Sequence, residues 1–185
     1  DKFQSYVNRL RPGTFDKLNK IYEHPRLIIP FYDVDGEVFA IQGRAFGKET
    51  PKYLTLKFDE NKQKIYGLER VNLQNRLYIV EGPIDSLFID NCLAAAGADL
   101  QLPVEKKNVV FIFDNEPRNK EIIDRMYRAI EKDYELVIWP EGQKEKDIND
   151  MIMQGKSKSE IQNIITQNTY SGLSALTQLN SYKRC

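Results

Sequence analysis

The sequence predicts an α/β fold, α+β overall, in which a small β-rich subdomain precedes a central parallel sheet flanked by helices. From Leu77 onward, short apolar runs alternate with stretches of helical spacing, which is typical of a parallel sheet with helices on its faces. Before that point, between about residues 26 and 75, extended apolar runs alternate with turn residues. Hydrophobic residues make up 41% of the 185 residues, enough to form a buried core.

In the first part of the chain, the pattern predicts one helix and one β-hairpin. A threonine at the N-cap favours a helix over residues 14–22. Residues 27–32 form an apolar run typical of a strand, and residues 38–41 form a second one. The Asp35-Gly36 step between them suits the positive φ of a hairpin loop. We therefore expect the two runs to pair as antiparallel strands.

In the second part of the chain, the spacing of apolar residues predicts strands and helices in alternation. Pro83 suits the first position of a helix that follows a short strand. The expected elements are strands over residues 77–80, 109–113 and 136–139, and helices over residues 84–93, about 119–132 and 157–167. The polar residues 169–185 are expected to be weakly structured.

Charge is unevenly distributed along the chain, although the net charge is zero. Residues 1–76 hold 14 basic and 10 acidic residues, whereas residues 77–155 hold 9 and 16. This order suggests capture of a polyanion beside a metal site, but on charge alone ordinary surface variation is the preferred interpretation. Together with the predicted elements, it divides the chain into a basic subdomain (1–75), an acidic α/β domain (76–155) and a C-terminal helix with a tail (156–185).

Several protein classes do not fit this composition. No run approaches the roughly 18 to 20 apolar residues of a membrane helix, and no secretory signal opens the chain, so we expect no membrane partner and a cytoplasmic location. Cys92 and Cys185 lie too far apart in sequence for a disulfide framework. With His24 as the single histidine, no structural zinc is expected. Because the chain begins at Asp1 without Met, we expect it to be part of a longer protein.

Acidic residues follow the predicted parallel strands where each strand ends. Ligand sites of parallel α/β sheets lie at the carboxyl ends of the strands, so these carboxylates are expected to converge at one edge. Clustered carboxylates repel each other unless a cation neutralises them, and Mg²⁺ prefers oxygen ligands. Taken singly, each acid could instead cap a helix, as Asp85 could. The residues at this edge are Glu81, Asp114, Glu116, Asp147 and Asp150.

Three segments of the acidic half resemble motifs of TOPRIM domains. Residues 78–85 are similar to the first motif, an apolar strand, then Glu-Gly, then an Asp three residues after the Gly. Residues 111–116 resemble the second motif, a strand ending in Asp-x-Asp, although Glu116 replaces the second Asp. Residues 146–150 resemble the Lys-Asp-Pro-x-Asp segment of DnaG-type primases, without the proline. Gly97 lies where those primases have a glycine-containing loop.

The basic half is similar to the segment that precedes the TOPRIM domain in DnaG-type primases. That family carries Arg-x-x-Phe-Pro-Ile, Gly-Gly-Arg, Pro-Lys-Tyr-Leu and Leu-Tyr-Gly-Leu in this order. The counterparts here begin at residues 26, 42, 51 and 65, so the resemblance covers about residues 26–153. An ordered series of short motifs is far more specific than any single one. The compact length and the altered second motif resemble primases of T-even-type bacteriophages.

This resemblance implies the catalytic core of a DNA primase, which makes short RNA primers from ribonucleoside triphosphates on single-stranded DNA with Mg²⁺ or Mn²⁺. It implies Asp114 and Glu116 as the principal metal ligands. Glu81 would be a third ligand or an acid–base group. Asp85 and Asp147 would support a second metal.

The resemblance also implies which residues of the basic half bind nucleic acid or nucleotide, namely Arg26, Arg44, Lys52 and Tyr53. Arg44 and Lys52 would line a groove for phosphates, since arginine contacts phosphate with two donors and lysine with a point charge. Tyr53 could stack on a base. Without the motif order, a surface ion pair for Arg44 and a core position for Tyr53 would be preferred.

Two partners follow from the family alone. Such primases work with a replicative helicase, and they usually carry a separate zinc-binding module, which we expect upstream of this chain. If the chain is encoded by a phage, its location is the host cytoplasm.

Other functions remain open at the level of sequence. A TOPRIM nuclease would use the same acids and would cut DNA without incorporating nucleotides. A non-enzymatic single-stranded DNA adaptor would suit the basic segment and the ten tyrosines, and would bind DNA without metal. A topoisomerase is disfavoured because the chain is too short for the separate domain that holds the nucleophilic tyrosine. A phospho-acceptor domain around Asp114 is disfavoured because residues 77–80 lack the extra acids.

Overall fold

The computed structural model describes residues 2–15, 24–95 and 104–185, and the chain divides into two compact units, Asp1–Glu69 and Arg70–Cys185. Residues 156–185 belong to the second unit. The predicted mixed α/β fold is confirmed, with one antiparallel sheet in the first unit and a largely parallel sheet in the second. None of the described helices is both long and apolar enough to span a lipid bilayer.

The first unit contains helix α1 (Phe3–Leu10) and a sheet with the order β1-β2-β3. Its strands are β1 (Arg26–Tyr32), β2 (Val38–Ala45) and β3 (Tyr53–Lys57), all antiparallel to their neighbours, and a short strand β4 (Ile65–Tyr66) follows. The predicted hairpin is therefore confirmed. Its turn is stabilised by the Asp33 carboxylate, which accepts hydrogen bonds from the amides of Asp35 and Glu37.

The N-terminal helix lies earlier in the chain than the sequence pattern predicts. Helix α1 ends at Leu10, and the Thr14 hydroxyl donates to the carbonyl of Arg11 at 2.7 Å instead of capping a new helix. The remainder of the helix predicted over residues 14–22 lies outside the described residues. Two buried side chains of α1, Phe3 and Val7, pack with Ile41 of β2 and form the core beneath the helix.

Gly43 lies on β2 directly beneath this helix. A Cβ atom added to Gly43 would overlap the Phe3 ring and would come within 3.0 Å of the Arg26 Cδ atom. We therefore expect Gly43→Ala to push Phe3 outward and to lower the free energy of unfolding by about 1–3 kcal/mol, the usual cost of overpacking a core. Chemical denaturation of this variant checks the value. Gly47→Ala, a change at an exposed glycine whose added Cβ would meet only the Glu49 side chain, controls for the backbone effect. Equal stability of Gly43→Ala and wild type would contradict this packing.

The sheet of the second unit contains strands in the order β6-β5-β7-β8-β9. The neighbours from β6 to β8 are parallel and β9 is antiparallel. The strands are β5 (Leu77–Val80), β6 (Cys92–Ala95), β7 (Val109–Ile112), β8 (Glu135–Val137) and β9 (Thr169–Tyr170). The helices are α2 (Lys120–Glu131), α3 (Ile148–Met153), α4 (Lys158–Gln167) and α5 (Gly172–Tyr182). The predicted strands at β5, β7 and β8 and the helices at α2 and α4 are confirmed.

Two predictions for this unit are wrong. The helix expected over residues 84–93 is only a 3-10 turn at Asp85–Leu87, after which the chain enters strand β6. Asn91 adopts a φ of 50° there, which ends helical geometry, and its side-chain amide donates to the carbonyls of Asn72 and Arg76. Pairing in the sheet thus overrides the local helical spacing.

The second correction concerns the C-terminal residues. Residues 169–185 were expected to be weakly structured, but they form β9 and the eleven-residue helix α5. Helix α5 buries Ala175 and Leu179 on one face. This narrow apolar stripe anchors an otherwise polar segment to the second unit.

Candidate active site

Four carboxylates of the second unit line one small pocket at the carboxyl ends of the parallel strands. Glu81 follows β5, and Asp114 follows β7 by two residues. Asp147 caps the N-terminus of α3, where its Oδ1 atom accepts from the amide of Asp150 at 2.7 Å. Asp85 contributes the fourth carboxylate. The apolar walls of the pocket are Val80, Ile112, Phe113, Trp139 and Ile148.

The pocket raises the energy of a negative charge on Asp114. Burial raises the pKa of the Asp114 carboxyl to about 7, with Glu81 acting in the same direction and Lys146 against it. The Asp147 and Asp85 carboxylates raise it further. Asp114 therefore exchanges its proton near neutral pH, and a cation at this position would hold it ionised.

Two basic side chains partly neutralise these acids. The Arg125 guanidinium on α2 forms an ion pair with Glu81, and both side chains are mostly buried. The Lys146 Nζ atom lies 3.6 Å from Asp114 Oδ2 and 3.3 Å from Glu116 Oε1. Lys146 thus bridges the two acids of the second motif. Arg125 could not be identified from the sequence, whereas Lys146 stands in the motif at residues 146–150.

Glu116 lies beside the pocket and not among the residues that line it. Its Oε2 atom accepts a hydrogen bond from the side chain of Asn119, the N-cap residue of α2, at 3.2 Å. Asp150 likewise lies outside the pocket lining. Within residues 2–15, 24–95 and 104–185, no three His, Cys, Asp or Glu side chains are gathered as a ready metal-binding group.

The spacing of the first motif has a structural cause. The Asp85 side chain folds back over Gly82, so closely that a Cβ atom on Gly82 would overlap Asp85 Oδ2. The other oxygen, Oδ1, accepts a hydrogen bond from the amide of Asn149 at 2.8 Å. Asp85 therefore ties the turn after β5 to the start of α3, and the glycine leaves the space that this contact needs.

Gly82→Ala is accordingly expected to displace Asp85 and to loosen its bond to Asn149. Groups that orient ligating carboxylates commonly contribute a factor of about 10–100 in metal affinity or activity. We therefore expect about a tenfold loss in the rate of the reaction catalysed at this pocket. Steady-state rates of the variant measure this loss. Asp90→Ala, a change at an exposed residue of the same segment, is the control and should keep the wild-type rate. Unchanged rates in Gly82→Ala would refute the role of this contact.

Asn115, between the two acids of the second motif, fastens neighbouring segments to the end of β7. Its backbone amide donates to the carbonyl of Lys146 at 2.6 Å, and its side-chain amide donates to the carbonyls of Gln143 and Glu145. Its side-chain oxygen accepts from the Tyr182 hydroxyl at 3.0 Å. Burial raises the pKa of Tyr182, and the Glu116 carboxylate raises it further, so this hydroxyl keeps its proton and donates.

The basic residues of the first unit occupy two different environments. The Tyr53 ring is 40% exposed, so it is not a core residue. The Arg44 guanidinium carbon and the Lys52 Nζ atom lie 5.8 and 5.6 Å from the centre of this ring, within cation–π range. Arg44, Lys52 and Tyr53 therefore form a surface cluster on β2, β3 and the loop between them.

Arg26, in contrast, is buried at the start of β1, with 1% of its surface exposed. Its Nη1 atom donates to the carbonyls of Gly43 and Pro51 at 3.3 and 3.0 Å and lies 3.4 Å from that of Lys52. In this placement Arg26 joins β1 to the segments that carry the surface cluster and does not face solvent. Gly97, which the motif comparison aligns with a glycine-containing loop of DnaG-type primases, lies outside the described residues.

Comparisons with known proteins agree with the motifs. No family model matches the chain. The DNA primase of Enterobacteria phage T4 is 40% identical over 183 residues, which cover 96% of this chain and 52% of the phage protein. The chain thus spans about half the length of this relative.

Solved structures show the same fold. The E. coli primase catalytic core superposes with a TM-score of 0.63 at 24% identity, covering 97% of this chain and 63% of that one. The RNA polymerase domain of Mycobacterium tuberculosis DnaG, in complex with a DNA duplex that has a 6-nucleotide overhang, gives 0.65 at 12% identity, covering 95% and 66%. A DnaG catalytic domain bound to single-stranded DNA gives 0.60 at 22% identity, covering 84% and 55%. Over nearly its whole length, this chain is related in sequence to a T-even phage DNA primase and has the fold of the DnaG primase catalytic cores, as its motifs indicate.

Proposed function

We propose that this chain is the catalytic core of a DNA primase, an enzyme that joins ribonucleoside triphosphates into short RNA primers on a single-stranded DNA template. The observation that carries the proposal is the pocket in which Glu81, Asp85, Asp114 and Asp147 meet at the ends of β5 and β7. The motifs that carry these acids follow, in the same chain, the ordered motifs of the basic half that begin at residue 26. The related phage protein is a DNA primase.

The donors in and beside this pocket suit a hard divalent cation, Mg²⁺ or Mn²⁺. All are carboxylate oxygens, and the raised pKa of Asp114 reflects burial first and repulsion by the Glu81 carboxylate second, both of which a bound cation would offset. Asp114, Glu116 and Glu81 would hold the metal, and Asp85 and Asp147 would support a second one. Bound there, divalent metal would activate the attacking hydroxyl and stabilise charge on the triphosphate.

The protein's own residues have complementary tasks in this proposal. Lys146 neutralises Asp114 and Glu116, and Arg125 orients Glu81 through a largely buried ion pair. The ammonium group of Lys146 is half exposed, so it can turn toward a nucleotide phosphate. Glu81 remains the candidate for an acid–base group.

The surface cluster of Arg44, Lys52 and Tyr53 is the proposed contact with template and nucleotide. The two cations would bind phosphates, and the exposed tyrosine ring offers a stacking face. A DnaG catalytic domain of the same fold has been solved with single-stranded DNA, which supports a DNA template as the partner. We further propose a replicative helicase and a zinc-binding module outside this chain as partners, and action in the host cytoplasm.

The test uses this chain with single-stranded DNA, Mg²⁺ and labelled ribonucleotides, and one gel reads both RNA products and DNA cuts. Short RNA products that depend on template and metal are expected. DNA cuts without RNA would replace the primase with a nuclease. Metal-independent DNA binding without either product, unchanged when a zinc module is added in trans, would replace it with an adaptor.

A further inference from the structure

The segment that carries Lys146 and Asp147 has no regular secondary structure, so its position depends on contacts with its surroundings. Asn115 supplies three of these contacts, because it donates to the carbonyls of Gln143, Glu145 and Lys146. The donor–acceptor distances are 2.9, 3.0 and 2.6 Å. One residue thus fixes the chain immediately before Asp147 enters the acidic pocket.

Asn115 is itself held from the opposite side by the C-terminal helix. The Tyr182 hydroxyl, in the last turn of α5, donates to Asn115 Oδ1 at 3.0 Å. This bond fixes which end of the side chain is the oxygen, and therefore turns the NH₂ group toward Gln143 and Glu145. The amide of Arg184, just beyond α5, donates to the carbonyl of Pro117 at 2.7 Å.

Helix α5 therefore contacts Asn115 of the second motif through Tyr182, and the residue Arg184 beyond the helix contacts Pro117, which directly follows the motif. Neither contact involves one of the acids. Another polar contact of α5 lies elsewhere: the Tyr127 hydroxyl on α2 donates to Asn180 Oδ1 at 2.7 Å and accepts from Nζ of Lys183, the residue after the helix, at 2.9 Å. Each tyrosine hydroxyl thus joins α5 to another part of the second unit, Tyr182 from α5 to Asn115 and Tyr127 from α2 to Asn180. Only Tyr182 is connected to the segment that carries Lys146.

We propose that Tyr182 and Asn115 are positioning residues, through which helix α5 holds Lys146 and Asp147 in place at the acidic pocket. The inference rests on the proposed primase function for its kinetic consequence, but the structural connection is independent of that function. Helix α5 then contributes to catalysis through these contacts, in addition to packing against the sheet.

The experiment compares Tyr182→Phe with the matched control Tyr127→Phe, each of which removes one hydroxyl from the surroundings of α5. Outer partners of ligating groups contribute a factor of about 10–100, and we expect Tyr182→Phe to lower kcat about tenfold. The KM for ribonucleotides should change less than kcat, because no group that binds substrate is removed and Lys146 is only displaced. Tyr127→Phe should leave both constants unchanged. Asn115→Ala removes all the side-chain hydrogen bonds of this residue and should therefore lower kcat by about 100-fold.

Amide hydrogen exchange, resolved by residue with NMR, provides a readout that does not depend on activity. The Asn115 amide is protected by its bond to the Lys146 carbonyl, so its exchange should accelerate in Tyr182→Phe and not in Tyr127→Phe. Equal exchange and equal kcat in the two variants would overturn the proposal. If wild type made no primers even with a zinc module added in trans, the primase assignment would fail, and the exchange rates would still decide whether α5 positions this segment.

Discussion

Replacing Asp114 with Asn is expected to reduce primer synthesis by at least about 100-fold. A catalytic metal contributes several kcal/mol to transition-state stabilisation, and each 1.36 kcal/mol corresponds to a factor of ten in rate. Asn keeps the shape of the side chain and removes the charge that would hold the metal. Asp124→Asn, an exposed acid on α2, is the matched control and should retain full activity. Full primer synthesis by Asp114→Asn would remove Asp114 from the site.

The same substitution should increase stability at alkaline pH. The pKa of Asp114 is about 7 in the folded protein against an ordinary value of 3.8, so the unfolded chain releases this proton at lower pH. Ionisation of Asp114 therefore lowers the stability of the wild type as the pH rises from about 4 to 7, and the full cost persists above 7.

Asn has no such cost, so the stability of the variant should exceed that of wild type at pH 8. The expected difference is about 1–2 kcal/mol, allowing for solvent screening of a partly exposed group, and the two proteins should be equally stable near pH 3. Denaturation in metal-free buffer across this range measures it. A variant less stable than wild type at pH 8 would mean that the Asp114 charge is favourably paired in the folded protein.

Arg26→Ala should destabilise the first unit by about 2–4 kcal/mol. The change deletes the donor shared by Gly43 and Pro51 and leaves a cavity where a fully buried side chain packed. Arg44→Ala, on the partner strand and facing the Tyr53 ring, should barely change the unfolding midpoint and should weaken binding of single-stranded DNA. Chemical denaturation and DNA titration of both variants make the comparison.

We expect a structural role for Arg26 and a binding role for Arg44, and the two variants distinguish these roles. The family resemblance implies nucleotide binding by both arginines. Because Arg26 is buried and Arg44 is partly exposed, we expect that only Arg44 reaches a phosphate directly. If Arg26→Ala were as stable as wild type and lost DNA affinity, Arg26 would have to face the ligand. That result would contradict its buried position at the start of β1.

The acidic site could be predicted because its position follows from local order. An apolar run followed at once by an acid places Glu81 and Asp114 at the same edge of a parallel sheet, whatever the rest of the chain does. The tertiary partners of these acids carry no such signal. Arg125 is one charge among several on an amphipathic helix, and nothing in the sequence pairs it with Glu81.

The wrong predictions share a physical cause, which is that distant contacts outweigh local preference. Residues 84–93 have helical spacing, yet they form only a short 3-10 turn, and their last two residues, Cys92 and Leu93, pair in parallel with β5. Helix α5 buries only two small or medium apolar side chains, too few to stand out in a polar segment. The burial of Arg26 likewise depends on carbonyls 17 to 26 residues away, which no local pattern reveals, while its contact with nucleic acid stays a prediction.

The most direct test of the acidic site is a Mn²⁺ titration of wild type, Asp114→Asn and Asp124→Asn, followed by electron paramagnetic resonance of the free ion. We expect wild type and Asp124→Asn to bind Mn²⁺ alike, and Asp114→Asn to lose at least one site or about tenfold in affinity. Equal binding by all three proteins would show that the carboxylates at the ends of β5 and β7 do not hold the metal, and would contradict the catalytic role given to them.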